Sequence, residues 1–594
     1  MERTPLYWGA LIFRVSSAPP RRPAPLRTGV LPFGAPVSFH SKVIYQVYPK
    51  SFYDSSGNGI GDLRGIIEKV PYIASLGVDM VWFNPFFVSP QNDNGYDIAD
   101  YYRVDPAMGS LDDVDELITT LGQHGIGVMF DMVFNHVSTE HEWFQKALAG
   151  DRFYQDFFYL RPAQADGSLP TNWESKFGGP AWSQFGDTDL YYMHLYDVTQ
   201  ADLNWHNPAV RAELFKVVNF WKNRGVRGFR FDVLNVIGKA EELRDAAPGE
   251  NDKLIYTDTD RVHLWVQELH RATFGDTEGT VTVGEMSSTT IENSVRYTNP
   301  ANEELDMVFS FHHLKVDYDG TEKWSDTPFD FMKLKGLLTD WAVGIQAGGG
   351  WQASFWNNHD QPRAINRFGD VERYRAESAT MLAAAVHLTR GTPYIYQGEE
   401  IGMVDPVYSS MDDYVDVESH NAFDILRERG VSEAEAFRIV TKKSRDNSRT
   451  PIQWDASEFA GFSRVKPWLM PTSQGQINVE REEAEGRILP FYRELVSLRH
   501  TMPLIAEGSY EPFAREHESV YGFVRDHEGQ RLLVLCNFYG QDAPVQLPAE
   551  FAAGSVLLCN YKDKPGLGDA PDADAASSDT LTLRPYEAVA VLAS

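Results

Sequence analysis

Eight short apolar runs, separated by helix-like segments, constrain the fold of this chain more than any other feature. They are Val43 to Tyr48, Met80 to Asn84, Gly127 to Asp131, Gly228 to Asp232, Val281 to Glu285, Met307 to Ser310, Ser354 to Asn357, and Pro393 to Gln397. Near-continuous hydrophobic runs alternating with amphipathic segments are the signature of parallel strands covered on both faces. Eight such units predict an α/β chain built on a (β/α)8 barrel, the TIM barrel architecture. Polar residues gather at the C-terminal ends of these runs: Asp131 to His136, Arg230 with Asp232, Glu285, His359 with Asp360, and an Asp93/Tyr96 pair. Barrel enzymes assemble their sites from those ends.

The intervals between runs locate the other parts. Between the third and fourth runs the chain is about twice as long as a βα unit needs, and it is rich in Trp, Tyr, Gly and Pro, so a small domain is expected to be inserted at 137–206. The barrel then occupies 39–136 and 207–512, its last part carrying helical patterns such as Ser432 to Asp446 and Glu485 to Met502. From 513 to 594 the pattern changes to short alternating strands, including Val520 to Arg525, Arg531 to Phe538, Ser555 to Cys559 and Ala588 to Leu592, which predicts a C-terminal all-β sandwich. Residues 1–38 are basic and Pro-rich and read as a disordered extension, their apolar patch Leu6 to Phe13 being too short for an export signal.

Composition excludes several classes of partner. With 54 Lys plus Arg against 84 Asp plus Glu, the net charge of −30 disfavours nucleic acid and anionic membrane surfaces. No run approaches the ~20 apolar residues of a membrane span. The two cysteines, Cys536 and Cys559, lie in strand-like runs and read as buried thiols, which with the absence of an export signal suggests the cytoplasm.

Each polar station has a chemical reading. Alternation along Gly228 to Asp232 puts Arg230 and Asp232 on one face, where the guanidinium favours the ionised carboxylate that a nucleophile requires. Glu285 ends an apolar strand, an environment that raises a carboxyl pKa and suits a general acid, and Gly284 before it permits close approach. His136, His359 and a third acid, Asp360, complete the set. Three acids at the ends of different strands point to glycosidic-bond chemistry.

Taken in order, the segments Asp131 to His136, Gly228 to Asp232, Val281 to Glu285 and Trp356 to Gln361 resemble the signature regions of the α-amylase superfamily of retaining glycoside hydrolases, a resemblance that runs from Val43 to the end of the chain. That resemblance implies Asp232 as nucleophile, Glu285 as acid then base, and Asp360 as stabiliser of the transition state, with His136, Arg230 and His359 lining the same subsite. The fragments Asn94 to Ile98, Gln200 to Asn204 and Asp446 to Pro451 are similar to those of the oligo-1,6-glucosidase group. By that similarity Asp93 and Arg449 close the pocket behind the terminal glucose and Tyr96 stacks on it. Val233 matches members acting on linkages other than α-1,4, although packing explains a β-branched residue there equally well.

Two stretches narrow the substrate. Phe309 to Tyr318, which contains His-His-Leu-Lys, and Asn172 to Gly179 are similar to trehalose-6-phosphate hydrolases. An acidic protein that holds a phosphorylated disaccharide needs a local cationic site, and the expected phosphate-side residues are Lys176 and Lys315, with Lys323 and His313 as further candidates. The enzymatic rival is an oligo-1,6-glucosidase acting on isomaltose-type sugars. The rival from another class is a non-catalytic transporter heavy chain, disfavoured by the complete set of acids. No cofactor is required for the chemistry. The loop Asp54 to Asp62 spaces oxygen ligands much as an EF-hand does and resembles the group's calcium loop, with Asp54, Ser56, Asn58, the Ile60 carbonyl and Asp62 as expected ligands of a structural Ca2+.

Overall fold

All eight expected strands form in the computed structural model, which describes residues 38–563 and 579–594. They are β1 (Ile44–Val47), β2 (Met80–Phe83), β3 (Gly127–Val133), β4 (Gly228–Asp232), β5 (Val281–Met286), β6 (Met307–Ser310), β7 (Ala353–Ser354) and β8 (Thr392–Tyr396). Their hydrogen-bonded order is β6-β5-β4-β3-β2-β1-β8-β7, every pair parallel. A single parallel bridge between Val308 and Gln352 joins β6 to the chain entering β7 and closes the barrel. The expected span of β7, Ser354 to Asn357, is corrected to two residues. Phe355 leaves the ladder and gives its carbonyl to His313 Nε2 at 3.0 Å.

Several connecting segments form helices because they carry an apolar stripe and begin on a good cap. Leu111–Gln123 starts with a capping box between Ser110 and Asp113 and buries Val114, Leu117 and Leu121. Pro208–Asn223 starts with Asn207 as cap and Pro208 in the first turn. The helical patterns expected late in the barrel appear as Glu433–Lys443 and Ile488–Thr501.

The segment between β3 and the helix at Pro208 holds a three-stranded antiparallel sheet of Leu160–Pro162, Leu190–Met193 and Trp182–Gln184. At its neck His136–Ser138 pairs antiparallel with Gln200–Asp202. A buried ammonium fastens that neck to the barrel: Lys239 Nζ lies 2.8 Å from Asp202 Oδ2 and donates to Asn135 Oδ1 at 2.8 Å and the Val236 carbonyl at 2.9 Å. Three oxygens around one cation compensate its burial.

C-terminally, a five-stranded antiparallel sheet has the order Ser509–Phe513, Val520–His527, Gln530–Asn537, Ala588–Leu592, Ser555–Cys559, and Ala543–Gln546 pairs separately with Thr580–Leu583. Val524, Leu533 and Val591 from the sheet share one core with Val545 and Leu583 from the pair. Tyr521, Phe523 and Val534 belong instead to the barrel's own hydrophobic cluster. The disordered extension expected at 1–38 lies, but for Ser38, outside the described residues.

Candidate active site

Parallel register brings the acids together. Arg230 on β4 lies opposite Asp131 on β3, Asp232 opposite Val133, and Phe231 opposite Gly284 on β5. A Cβ at position 284 would fall 2.4 Å from Met286 Cε and 2.7 Å from Leu305 Cδ1, so the glycine lets β5 pack against its own neighbours. The buried Arg230 guanidinium then holds three carboxylates: Nη1 donates to Asp131 Oδ1 and to Asp232 Oδ1, each at 2.6 Å, and Nη2 donates to Glu285. Val233, next after Asp232, is held at φ 35°, a left-handed conformation costly for a β-branched residue, while it lines the cavity and packs in a core with Tyr159 and Trp173.

Burial pushes the Asp232 carboxyl up to about 7, with Arg230 opposing. It pushes Glu285 further, to about 8, because the charges of Asp232 and Asp360 add to the effect. Asp360 behaves differently. Against the upward push of burial, His359 and the guanidinium groups of Arg445 and Arg449 hold it well below the usual carboxylate range. Its Oδ1 accepts from Arg449 Nη2 at 2.8 Å and Arg445 Nη1 at 3.4 Å, and its Oδ2 lies 3.1 Å from His359 Nε2. One ionised acid thus stands beside a pair that titrates near neutrality.

These groups share one open cavity. Asp93, Tyr96, His136, Asp232, Glu285, Asp360, Lys176 and Lys315 all line it. Tyr96 lies flat on His359, ring centroids 5.0 Å apart and planes within 2°, and its hydroxyl donates to Asp131 Oδ2 at 2.8 Å. His136 and His359 are pushed down to about 4 by burial and are neutral hydrogen-bonding groups at pH 7. Arg230 and His359 do not line the cavity; they hold residues that do, Arg230 contacting Asp232 and Glu285, and His359 contacting Asp360.

The closure expected from Asp93 and Arg449 is corrected. Arg445, not Arg449, pairs with Asp93, its Nη2 donating to Asp93 Oδ1 at 3.1 Å, and it is Arg445 that faces the cavity. Arg449 is fully buried and acts from behind, donating through Nε to the His359 carbonyl at 2.8 Å. Both arginines belong to one turn around the short helix Asp446–Arg449, and the side on which each emerges follows from its winding. The only sign of Arg445 in the sequence was its place beside the Asp446 to Pro451 fragment.

Lysines line the same cavity. Lys176 Nζ donates to Ser287 Oγ at 2.9 Å. Among the described residues no carboxylate forms an ion pair with Lys176 or Lys315, whereas Lys323 is neutralised by Glu418 at 2.7 Å. Burial and the nearby Lys253 and Lys315 charges push Lys176 down to about 7; burial and Lys253 also lower Lys315. His313 is pushed down to about 4 by burial and spends its Nε2 on the Phe355 carbonyl, which makes it a structural group.

The alpha-amylase catalytic domain matches residues 46–508, from within β1 through β8, and includes every acid assigned to the site. The chain belongs to the alpha-amylase family. Within it, the chain is 46% identical to a trehalose-6-phosphate hydrolase of Bacillus subtilis, over 92% of this chain and 96% of that protein. It is 44% identical to a trehalose-6-phosphate hydrolase of Escherichia coli, over 92% of this chain and 97% of that one. A crystal structure of a Bacillus licheniformis trehalose-6-phosphate hydrolase variant in complex with PNG superposes with a TM-score of 0.89 at 45% identity, covering 94% of this chain and all of that one.

The loop expected to bind calcium is filled from within. Asp54 Oδ1 accepts from the Ser56 hydroxyl and the backbone of Gly57 and Asn58, and Oδ2 from the Gly59 backbone and the Ser463 hydroxyl. Asp62 accepts two donors on each oxygen, among them Gly65 N, which makes it the cap of the helix Leu63–Glu68. Asn58 Oδ1 accepts from Ile60 N at 2.8 Å. Calcium takes about six to eight oxygens, and here both carboxylates have their lone pairs occupied by N–H and O–H donors. The set Asp54, Ser56, Asn58, Ile60 and Asp62 does not fit the ion.

Proposed function

We propose that this enzyme hydrolyses trehalose 6-phosphate to glucose and glucose 6-phosphate by a retaining mechanism. The observation that carries this reading is the cavity's lining: beside the carboxylates of Asp232, Glu285 and Asp360 stand the ammonium groups of Lys176 and Lys315, with no carboxylate paired to them among the described residues, in a chain of net charge −30. The unphosphorylated glucose enters the closed end, where Asp93 and Arg445 bar further extension and Tyr96 supports the ring. The phosphate lies towards Lys176 and Lys315, the first supplied by the inserted segment 137–206.

Asp232 attacks the anomeric carbon and Glu285 gives its proton to the departing oxygen of glucose 6-phosphate; Glu285 then takes a proton from water, which cleaves the glycosyl-enzyme. Arg230 supports both steps by drawing the Asp232 carboxyl down against burial while Glu285, whose pKa is the higher of the two, keeps its proton. Asp360, ionised throughout, stabilises positive charge on the ring. The cysteines, one buried and one half-buried and neither in a disulfide, accord with a cytoplasmic setting.

The test is to follow first turnovers by proton NMR. Glucose and glucose 6-phosphate appear in equal amounts and glucose is released as the α anomer. Release of β-glucose contradicts the nucleophilic role of Asp232, and absence of cleavage contradicts the substrate.

A further inference from the structure

Beneath Asp360 runs a chain of buried hydrogen bonds that the chemistry above does not use. The loop from Asn357 to Ala364 leaves the end of β7 with His359 and Asp360 on it, and one side chain closes it: Asn357 Oδ1 accepts from Ala364 N at 2.6 Å. An amide can do this only if its oxygen, and not its NH2, faces the loop, and what lies on its other side decides that. There Asn357 Nδ2 donates to Glu399 Oε2 at 2.5 Å, while Tyr492 Oη donates to Glu399 Oε1 at 2.8 Å. Asn357, Glu399 and Tyr492 are all buried. Glu399 comes from the turn Glu399–Ile401 after β8, and Tyr492 from the helix Ile488–Thr501.

We propose that Glu399 is a positioning residue: by accepting from Asn357 it turns that amide's oxygen to Ala364 and so fixes the loop that presents Asp360 to the sugar. Arg449 holds the same loop from the opposite side, through the His359 carbonyl and Asp360 Oδ1. Acceptance, not charge, is what the arrangement demands. Burial pushes Glu399 up to about 7, with Asn357 and Tyr492 opposing. A neutral side chain at 399 still serves Asn357, because the Tyr492 hydroxyl can turn from donor to acceptor.

The test uses an aryl α-glucoside, so its outcome is independent of phosphate recognition. Glu399→Gln keeps kcat/KM within about threefold of the parent, its NH2 turned to Tyr492. Glu399→Leu removes the acceptor and lowers kcat roughly 100-fold with KM changed far less, the effect of a catalytic group displaced by about 1 Å. Combining Glu399→Gln with Tyr492→Phe leaves the glutamine NH2 without its acceptor, and the double variant loses far more than the product of the single losses. The proposal is overturned by a fully active Glu399→Leu, by a Glu399→Gln as impaired as Glu399→Leu, or by multiplicative behaviour of the double variant. Where Glu399→Leu fails to fold, the Gln and Phe variants decide.

Discussion

Because Arg230 donates through Nη1 to Asp232 and through Nη2 to Glu285, both carboxyl groups lie against one guanidinium, and their protonation belongs to the pair. With Asp232 pushed up to about 7 and Glu285 to about 8 by burial, hydrolysis of an aryl α-glucoside should fall as pH rises past about 8, when the acid loses its proton. It should fall again below about 7, when the nucleophile gains one. Asp232→Asn should lower turnover by at least about 10³-fold, and Glu285→Gln should abolish the alkaline limb while sparing substrates with activated leaving groups. A Glu285→Gln profile with the same alkaline limb contradicts the assignment. Lys315→Ala should raise KM for the phosphorylated disaccharide about tenfold or more, the worth of one charge-assisted contact, and leave the aryl glucoside's KM unchanged. Equal loss on both substrates means general damage. Lys176, pushed down to about 7 by burial and the neighbouring lysines, loses its charge as pH rises through that value, so KM for the phosphorylated substrate alone should rise there.

At the level of elements, the barrel strands were legible because strands buried on both faces leave unbroken apolar runs, and the acids because they stand at the ends of those runs. What escaped has physical causes. Ser509–Phe513 and Ala543–Gln546 contain Pro512 and Pro544, tolerated in these strands because each lies at the edge of its sheet, yet proline argues against a strand when only sequence is read. Which of Arg445 and Arg449 faces the sugar depends on the winding of one short helix, which spacing to the rest of the site cannot supply. Asp54 to Asp62 has the oxygen spacing of a calcium loop, but ligand spacing does not reveal which lone pairs the loop's own N–H groups take. Accordingly, excess chelator should shift the melting temperature by less than about 1 °C. A fall of several degrees, restored by Ca2+, contradicts the self-filled loop.

Across the molecule, the described residues form one compact unit, and the C-terminal sheet shares the barrel's hydrophobic cluster through Tyr521, Phe523 and Val534. Buried charges cross the same boundary: Arg525 on the sheet donates to the Leu388 carbonyl at 2.6 Å. Thermal unfolding should therefore show a single calorimetric transition, and a separate one for the C-terminal sheet contradicts the shared core. The same unit brings cations from the inserted segment and from the loop after β6 to a cavity whose acids stand on β4, β5 and the loop after β7, so substrate choice is a property of the assembled chain. The most direct measurement is kcat/KM for trehalose 6-phosphate beside that for isomaltose on the same purified enzyme. Lys176 and Lys315 in the cavity lining predict a preference of at least about 100-fold for the phosphorylated sugar; efficient turnover of isomaltose with trehalose 6-phosphate inert contradicts it.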